Sequence, residues 1–215
     1  MNPVVVFSTR HDGDVRRKKM DATIFAEQIH GNTIARVTEK DKGKTIPGAD
    51  GLVYKQNGRI SVHLAVRVAD CVPIVAWDTD ASVIGVAHAG WKGTLGHIAG
   101  NLISAMRKEG ADPKKIHVSI GPHIGMCCYN VSAARAGTFL KEFGTDKAAS
   151  FFENAWHVDI GWANYSELMR AGVLPENINA PIVCTSCQAD RYFSYRKDTQ
   201  DTFGEQMGTI WIETK

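Results

Sequence analysis

The sequence lacks the features of a secreted, membrane-spanning or nucleic-acid-binding protein. Its amino-terminal segment has a short apolar run but no basic region and no long hydrophobic core, so we expect no signal peptide. The longest stretch without aspartate, glutamate, lysine or arginine, 116–134, contains two histidines, a proline and an asparagine, which makes it a poor membrane span. The 25 basic residues nearly balance the 23 acidic ones, so charge gives no argument for binding nucleic acid.

Cysteine is also scarce, with five residues scattered over 215 positions. An odd number of scattered cysteines disfavours a secreted disulfide framework and is typical of reduced thiols in the cytoplasm. The apolar share of 44% and the charged share of 22% are ordinary for a globular protein. We therefore expect one cytoplasmic domain over residues 1–215, with no membrane or nucleic-acid partner.

Strand and helix patterns interleave along the chain, and no fixed repeat or linker divides it. The clearest strand, Ile60–Val68, alternates apolar and polar residues, after which Pro73 is expected to interrupt the sheet ladder. Apolar spacing from Leu95 to Met106 predicts a helix capped by Thr94. Further strands are predicted at Val4–Ser8, Ile74–Trp77, Ser82–Ala87, Ile116–Ile120, Ile182–Thr185 and Gly208–Ile212, and further helices at Val131–Phe143 and Asn164–Ala171. This order predicts a mixed α/β (α+β) layered domain.

Three polar clusters stand where predicted strands end, at 28–31, 69–73 and 87–91. Together they offer His30, Cys71 and His88, a donor set that suits a catalytic zinc ion with water in the fourth position. Asp70 lies beside Cys71 and is a candidate to carry protons. Two other interpretations of the same residues remain open: Cys71 is a small buried side chain, or it is a nucleophile with His88 as its base.

Two further patterns are weaker. The loop 90–93 precedes a helix, where backbone N–H groups and Lys92 would hold an anion, and Arg10, Arg191 and Arg196 beside apolar strands are either surface residues or anion ligands. The adjacent cysteines at 127–128 and the CxxC at 184–187 would supply four thiols for a structural zinc or for redox chemistry. Adjacent cysteines are an unfavourable spacing for a metal, and the CxxC has no thioredoxin-like surroundings.

The ordered set of motifs resembles the YfiH family, also called the laccase-domain or multicopper polyphenol oxidase family. The matching segments, in the family's order, are Phe7-Ser8-Thr9-Arg10, Gln28-Ile29-His30-Gly31, Ala69-Asp70-Cys71-Val72-Pro73, Ala87-His88-Ala89-Gly90-Trp91-Lys92-Gly93, Ile120-Gly121-Pro122-His123-Ile124-Gly125, Cys127-Cys128-Tyr129-Asn130-Val131, Cys184-Thr185 and Phe193-Ser194-Tyr195-Arg196. They cover nearly the whole chain.

The resemblance implies a layered sandwich of mixed β-sheets with helices outside, and a zinc ion held by His30, Cys71 and His88. It also implies phosphorolysis of adenosine, inosine or methylthioadenosine to the base and a pentose 1-phosphate, together with deamination of adenosine to inosine. The expected partners are thus a purine nucleoside and phosphate, with the protein as a monomer or small homo-oligomer. Arg10, Lys92 and Arg196 are the expected phosphate ligands.

Among the departures from the family pattern, which include His123 at a position where small residues or cysteine are common, two bear on phosphate. Lys92 stands where arginine is usual, which keeps the charge but loses the bidentate fork. Glu205 stands where the family has an arginine. If that arginine binds phosphate, its replacement favours deamination over phosphorolysis.

Other functions compete with this interpretation. A Cys71/His88 pair would hydrolyse or deamidate an amide without metal, on a fold that the family shares with a cysteine-dependent toxin deamidase. A non-enzymatic metal-binding or redox protein would use the five cysteines. Copper is the alternative metal, but a multicopper oxidase needs many more clustered histidines than this chain offers.

Overall fold

Two mixed β-sheets lie face to face, and helices cover the outer face of the larger one. The computed structural model describes residues 2–58 and 61–213. The strands are β1 (Asn2–Phe7), β2 (Thr23–Ala26), β3 (Ile34–Arg36), β4 (Thr45–Ile46), β5 (Gly51–Lys55), β6 (His63–Val68), β7 (Val72–Asp78), β8 (Val83–Ala89), β9 (His117–Ile120), β10 (Asn130–Val131), β11 (Ala149–Phe152), β12 (Ala155–Val158), β13 (Ile178–Asn179) and β14 (Gln206–Glu213). The helices are α1 (Trp91–Leu95), α2 (Ile98–Lys108), α3 (Ala133–Phe143) and α4 (Ile160–Arg170).

The sheets are built from strands that are distant in sequence. One has five strands in the order β1-β14-β6-β2-β4, and the other has six in the order β13-β9-β7-β8-β5-β3. Strands β10, β12 and β11 form a small third sheet. In the five-stranded sheet, β6 pairs parallel with β2 and antiparallel with β14. In the six-stranded sheet, β5 pairs parallel with β3 and antiparallel with β8. The mixed, layered α/β architecture expected from the sequence is confirmed.

Alternation along the strands divides the core in two. Leu64 and Val66 of β6 and Ile84 and Val86 of β8 belong to the apolar layer between the two large sheets. The opposite face of the six-stranded sheet packs on the helices through a second layer, which includes Leu102 of α2. A period of two on strands and of 3.6 on helices is what allows one sheet to separate two apolar layers.

Several predicted elements differ in extent. The strand predicted at Ile60–Val68 begins at His63 in the structure, and Ile60 lies outside the described residues. The helix predicted at Asn164–Ala171 begins earlier, at Ile160, because Asp159 caps it by accepting a hydrogen bond from the Trp162 N–H at 2.7 Å. The strand predicted at Ile182–Thr185 is wrong, since only an isolated parallel bridge joins Cys184 to His123.

Pro73 does not interrupt the ladder as predicted. It lies inside β7, opposite His88 of β8. The N–H of His88 donates to the Asp50 carbonyl on the other side of β8, at 2.8 Å. The 73–88 pair therefore requires no N–H from proline, which is the condition under which a sheet accepts this residue.

The single helix predicted from Thr94 onward is divided into α1 and α2. His97, between them, has a left-handed backbone with φ of 60°. The Asn32 side-chain amide donates to the Gly96 carbonyl at 2.7 Å, and the same amide group lies 2.9 Å from the position a Gly96 Cβ would occupy. The loop after β2 thus packs directly against the break, and Thr94 is an internal residue of α1 rather than a cap.

Candidate functional site

Three strand ends bring His30, Cys71 and His88 together. Cys71 lies in the short connection that carries the chain from β6 in one sheet to β7 in the other. The antiparallel register of β7 with β8 places His88 beside Pro73, two residues from Cys71. Because β2 runs parallel to β6, the loop after β2 leaves the same edge and delivers His30. One ligand atom from each residue lies within 4.8 Å of the other two.

Asp50 forms hydrogen bonds that hold His88 and the loop carrying His30 in place. Its carboxylate is fully buried, and Oδ1 lies 2.9 Å from Nδ1 of His88. The same carboxylate accepts the backbone N–H groups of His30 at 2.9 Å and Gly31 at 2.7 Å. With Nδ1 of His88 engaged, Nε2 is the nitrogen left to bind a metal, in the carboxylate–histidine arrangement typical of metal sites.

Gly90 gives the group its space. A Cβ at this position would lie 3.1 Å from Cδ2 of His30, 3.2 Å from Sγ of Cys71 and 3.8 Å from Cε1 of His88. The backbone therefore passes directly against all three side chains, which only a residue without a side chain permits without displacement.

The electrostatics of the group favour an ionised thiol in metal-free protein. Burial opposes ionisation of Cys71, but hydrogen bonds from His30 and His88 outweigh it and lower the pKa of the thiol to about 7. Burial also opposes a charged His88, but hydrogen bonds with Asp50 and Cys71 raise the pKa of its imidazole to about 9. A thiolate is the form of cysteine that binds metals and attacks electrophiles.

Alkylation of metal-free protein tests this ionisation. Since only the thiolate reacts, a lowered pKa moves the onset of reaction to lower pH, and we expect the Cys71 rate with iodoacetamide to reach half its maximum near pH 7. Cys187 is an internal control, because its hydrogen bond with Cys128 raises the pKa of its thiol, which reaches about 11. Peptide mass spectrometry across a pH series measures both rates, and equal midpoints would contradict the assignment.

The three side chains line a cavity of about 680 Å³. That volume lies within the range of about 300–1,000 Å³ typical of small-molecule sites. The wall combines aromatic rings with four arginines and three carboxylates. The aromatic residues are Trp91, Tyr129, Tyr195 and Phe203. The arginines are Arg16, Arg67, Arg135 and Arg196, and the acidic residues are Glu27, Asp70 and Glu205.

Asp70 lies in this wall, as the sequence predicted for a proton carrier. The residue is 8% exposed, and its backbone is left-handed, with φ of 83°. Oδ1 accepts a hydrogen bond from the Thr185 hydroxyl at 2.6 Å, and Oδ2 accepts one from the backbone N–H of Arg196 at 2.7 Å. These bonds fix the carboxylate in the cavity wall.

The predicted anion ligands are not all brought to the cavity. Arg196 lines it, whereas Arg10 and Lys92 do not. The Arg10 guanidinium is paired with Asp198, with its nearest N–O distance at 2.6 Å, and lies over the Phe193 ring, which fixes the segment before β14. Lys92 is exposed on α1. Of the three expected anion ligands, Arg196 alone belongs to the cavity wall, while Nζ of Lys92 lies 5.7 Å from the centroid of the Trp91 ring, which is part of that wall.

Sequence reasoning missed Asp50, Arg67 and Arg135. Asp50 follows a loop and precedes the apolar strand β5, so a lone carboxylate at the start of a buried run was the available signal. Arg67 alternates with apolar residues on β6 and points away from the core. Arg135, on α3, carries no local motif, and its place in the wall follows only from tertiary packing.

The chain is similar in sequence to proteins that are already known. Residues 8–213 match the family model described as multi-copper polyphenol oxidoreductase laccase. A relative named purine nucleoside phosphorylase YlmD, from Geobacillus stearothermophilus, is 35% identical over 89% of this chain and 72% of its own length. Another, named adenosine deaminase RL5, from an unknown prokaryotic organism, is 30% identical over 83% of this chain and 71% of its own.

Solved structures agree with the sequence relatives. The crystal structure of YlmD from Geobacillus stearothermophilus superposes with a TM-score of 0.80 at 34% identity, covering 88% of this chain and 73% of that one. The crystal structure of the Bacillus licheniformis protein YfiH gives a TM-score of 0.79 at 30% identity, covering 94% and 78%. The chain belongs to this laccase-domain, or YfiH, family, as the ordered motifs had indicated.

Within the described ranges, no helix combines the length and the apolar character needed to cross a bilayer.

Proposed function

We propose that this protein is a zinc-dependent enzyme of purine nucleosides. It cleaves adenosine, inosine or methylthioadenosine with phosphate to give the base and a pentose 1-phosphate, and it deaminates adenosine to inosine. The proposal is supported by relatives that carry the names purine nucleoside phosphorylase and adenosine deaminase.

One observation carries the proposal: the His30, Cys71 and His88 group lies in a cavity large enough for a nucleoside, among aromatic rings and arginines. Two nitrogens and one thiolate suit zinc and leave one of its four positions open. When bound there, zinc would lower the pKa of a coordinated water toward about 7, which makes water a nucleophile near neutral pH.

Zinc is favoured over copper by the donor count. Among residues 2–58 and 61–213, only this group and a cluster of four cysteines gather three or more metal-binding side chains within 4.8 Å. A multicopper oxidase requires several histidine-rich copper sites. We therefore assign the family's catalytic metal in this chain to zinc at His30, Cys71 and His88.

The chain's own residues supply the remaining steps. Asp50 holds the His88 ring and the backbone of the His30 loop, which fixes two of the three ligands. Aromatic rings such as Tyr129 and Tyr195 offer flat apolar surface to the purine. Asp70, anchored by Thr185, is placed to move a proton during departure of ammonia or of the purine.

Arg135 and Arg196 are the proposed phosphate ligands. Arg135 lies over the Trp91 ring with its guanidinium carbon 4.1 Å from the centroid, and Arg196 lies over Tyr129 at 5.3 Å. Neither contact neutralises the charge, whereas Arg16 is paired with Asp14 at 2.7 Å. Two guanidinium groups on one cavity wall suit the charge and planar hydrogen bonding of a phosphate.

Glu205 favours deamination as the larger of the two activities. Its carboxylate lies in the cavity, 4.0 Å from Nε of Arg67, where it offsets that cation. A carboxylate repels phosphate but does not hinder a neutral nucleoside and water. The reactions balance as adenosine plus water giving inosine plus ammonia, and adenosine plus phosphate giving adenine plus ribose 1-phosphate.

Product analysis tests the proposal. Reduced, zinc-loaded protein is incubated with adenosine, with and without phosphate, and the products are separated by liquid chromatography. We expect inosine in both mixtures and adenine with ribose 1-phosphate only where phosphate is present. Absence of all three products would overturn the proposal.

Two charge-removing variants locate the phosphate site. Arg135→Gln should raise the KM for phosphate by roughly tenfold or more, since a hydrogen bond to a charged group contributes about 1.5–3 kcal/mol. Lys92→Gln is the matched control, because Lys92 is exposed and does not line the cavity. Equal effects of the two changes would contradict the assignment of Arg135.

A further inference from the structure

Four cysteines converge outside the cavity just described. Cys127 and Cys128 lie in the turn between β9 and β10, and Cys184 and Cys187 lie in the loop that follows β13. The parallel bridge between His123 and Cys184 joins these two loops, with the Thr185 N–H donating to the His123 carbonyl at 3.0 Å. All four sulfur atoms lie within 4.8 Å of one another.

The turn overcomes the unfavourable spacing of adjacent cysteines. The N–H groups of Cys128 and Tyr129 both donate to the Gly125 carbonyl, at 3.0 and 3.1 Å, which is the bonding of a single helical turn. Neighbouring side chains on a helical turn diverge by about 100°, whereas on a strand they point to opposite faces. Cys127 and Cys128 are therefore able to face one centre.

Two of the sulfur separations are close to those in a metal tetrahedron, and all lie within 4.8 Å. Sγ of Cys187 lies 3.6 Å from Sγ of Cys127 and 3.4 Å from Sγ of Cys128. Four sulfurs bound to zinc at about 2.3 Å stand roughly 3.8 Å apart, whereas a disulfide requires about 2.05 Å. One thiol placed nearly equally between two others is the arrangement of a shared ion rather than of one pair.

Gly125 supports the cluster. Its N–H donates to Sγ of Cys184 at 3.2 Å, the kind of bond that orients and stabilises a thiolate ligand. A Cβ on Gly125 would lie 3.3 Å from Sγ of Cys127 and 3.3 Å from Cβ of Cys184. The backbone thus passes so close to the sulfurs that a Cβ at this position would displace its neighbours by a few tenths of an ångström.

We propose that Cys127, Cys128, Cys184 and Cys187 bind a second zinc ion as four thiolates. With four protein ligands the site is closed, so its role is structural. It ties together two loops that form the cavity wall: Tyr129, which follows Cys128, lines the cavity, and Thr185, which follows Cys184, holds Asp70. This site is independent of the zinc proposed at His30, Cys71 and His88.

Metal content tests the proposal on the whole protein, purified under reducing conditions without chelator. We expect two zinc ions per chain in the unchanged protein and one in Cys71→Ala, with the remaining ion lost when Cys187→Ser is added. Cobalt-loaded Cys71→Ala protein should show the intense sulfur-to-cobalt absorption of a tetrathiolate. That absorption should disappear in the double variant.

X-ray absorption at the zinc edge measures the sulfur and nitrogen ligands of the bound zinc without any substitution. Two occupied sites give five sulfur and two histidine nitrogen ligands over two ions, whereas the cavity site alone gives one sulfur and two nitrogens. A single zinc per chain that is lost in Cys71→Ala, a disulfide among the four cysteines, or iron in place of zinc would overturn the proposal. Metal content and the zinc-edge spectrum do not depend on nucleoside turnover. The tetrathiolate zinc site and the proposed nucleoside activity can therefore be refuted independently.

Discussion

Cys71→Ala should lose one zinc ion per chain and fall to background turnover of adenosine, with and without phosphate. Alanine removes the only sulfur of the group and leaves two imidazoles, of which His88 alone has a buried carboxylate partner. Two neutral nitrogens hold zinc far more weakly than a set that includes a thiolate. Metal analysis by mass spectrometry and chromatography of the products measure both effects.

Cys71→Ser is the matched control for shape, since it exchanges only sulfur for oxygen and should lose the same zinc. Zinc-free Cys71→Ala protein with full turnover would refute the metal mechanism. Iodoacetamide separates the remaining alternative, a metal-free Cys71/His88 hydrolase. Excess zinc should protect Cys71 from alkylation if the thiolate is a metal ligand, and should fail to protect it if the thiolate is a free nucleophile.

Asp50→Ala should weaken zinc binding by roughly 10–100-fold, the usual effect of removing the partner of a metal-binding histidine. It should also lower the free energy of unfolding by about 3–5 kcal/mol, because it leaves the buried His88 ring and two backbone N–H groups without their acceptor. Competition with a chelator and chemical denaturation measure the two quantities.

Asp78→Ala is the control that separates loss of zinc affinity from loss of folding stability. Asp78 is another buried carboxylate, 2% exposed, and it accepts three backbone N–H groups, those of Asp80, Ala81 and Asp112. Its removal should destabilise the protein but leave zinc affinity at the wild-type value, since Asp78 ends β7 at the end of the strand opposite to Cys71. Equal loss of zinc affinity in both variants would show that Asp50 acts only through overall stability.

The sequence predicts those parts of the fold that are specified by local periodicity. The alternation on β6 and the apolar spacing on α2 identify both elements, because each depends on residues a few positions apart. The break between α1 and α2 could not be predicted, since it depends on Asn32 from a distant loop. Pro73 fits inside β7 because the His88 N–H donates to the Asp50 carbonyl on the β5 side of β8. That partner follows from the order of strands in the sheet, which local sequence does not contain.

The sequence likewise predicts only part of the candidate site. His30, Cys71 and His88 stand out because imidazoles and a thiol at strand ends have a recognisable chemistry. Arg10 shows the limit of that reasoning, because a guanidinium near a strand end is as well suited to pair with Asp198 as to bind phosphate. Only the tertiary structure shows which of these occurs.

The left-handed backbone at Gln28, His30 and Asp70, with φ of 66°, 61° and 83°, gives this edge of the molecule a cost of about 1–3 kcal/mol at each position. Glycine would relieve it, but would also remove the imidazole and the carboxylate that the proposed chemistry uses. Laboratory evolution for heat tolerance alone would therefore accumulate changes here and lose activity as it gained stability. Thermostable variants of this protein should be sought among the strands and helices away from these three positions, which are held constant.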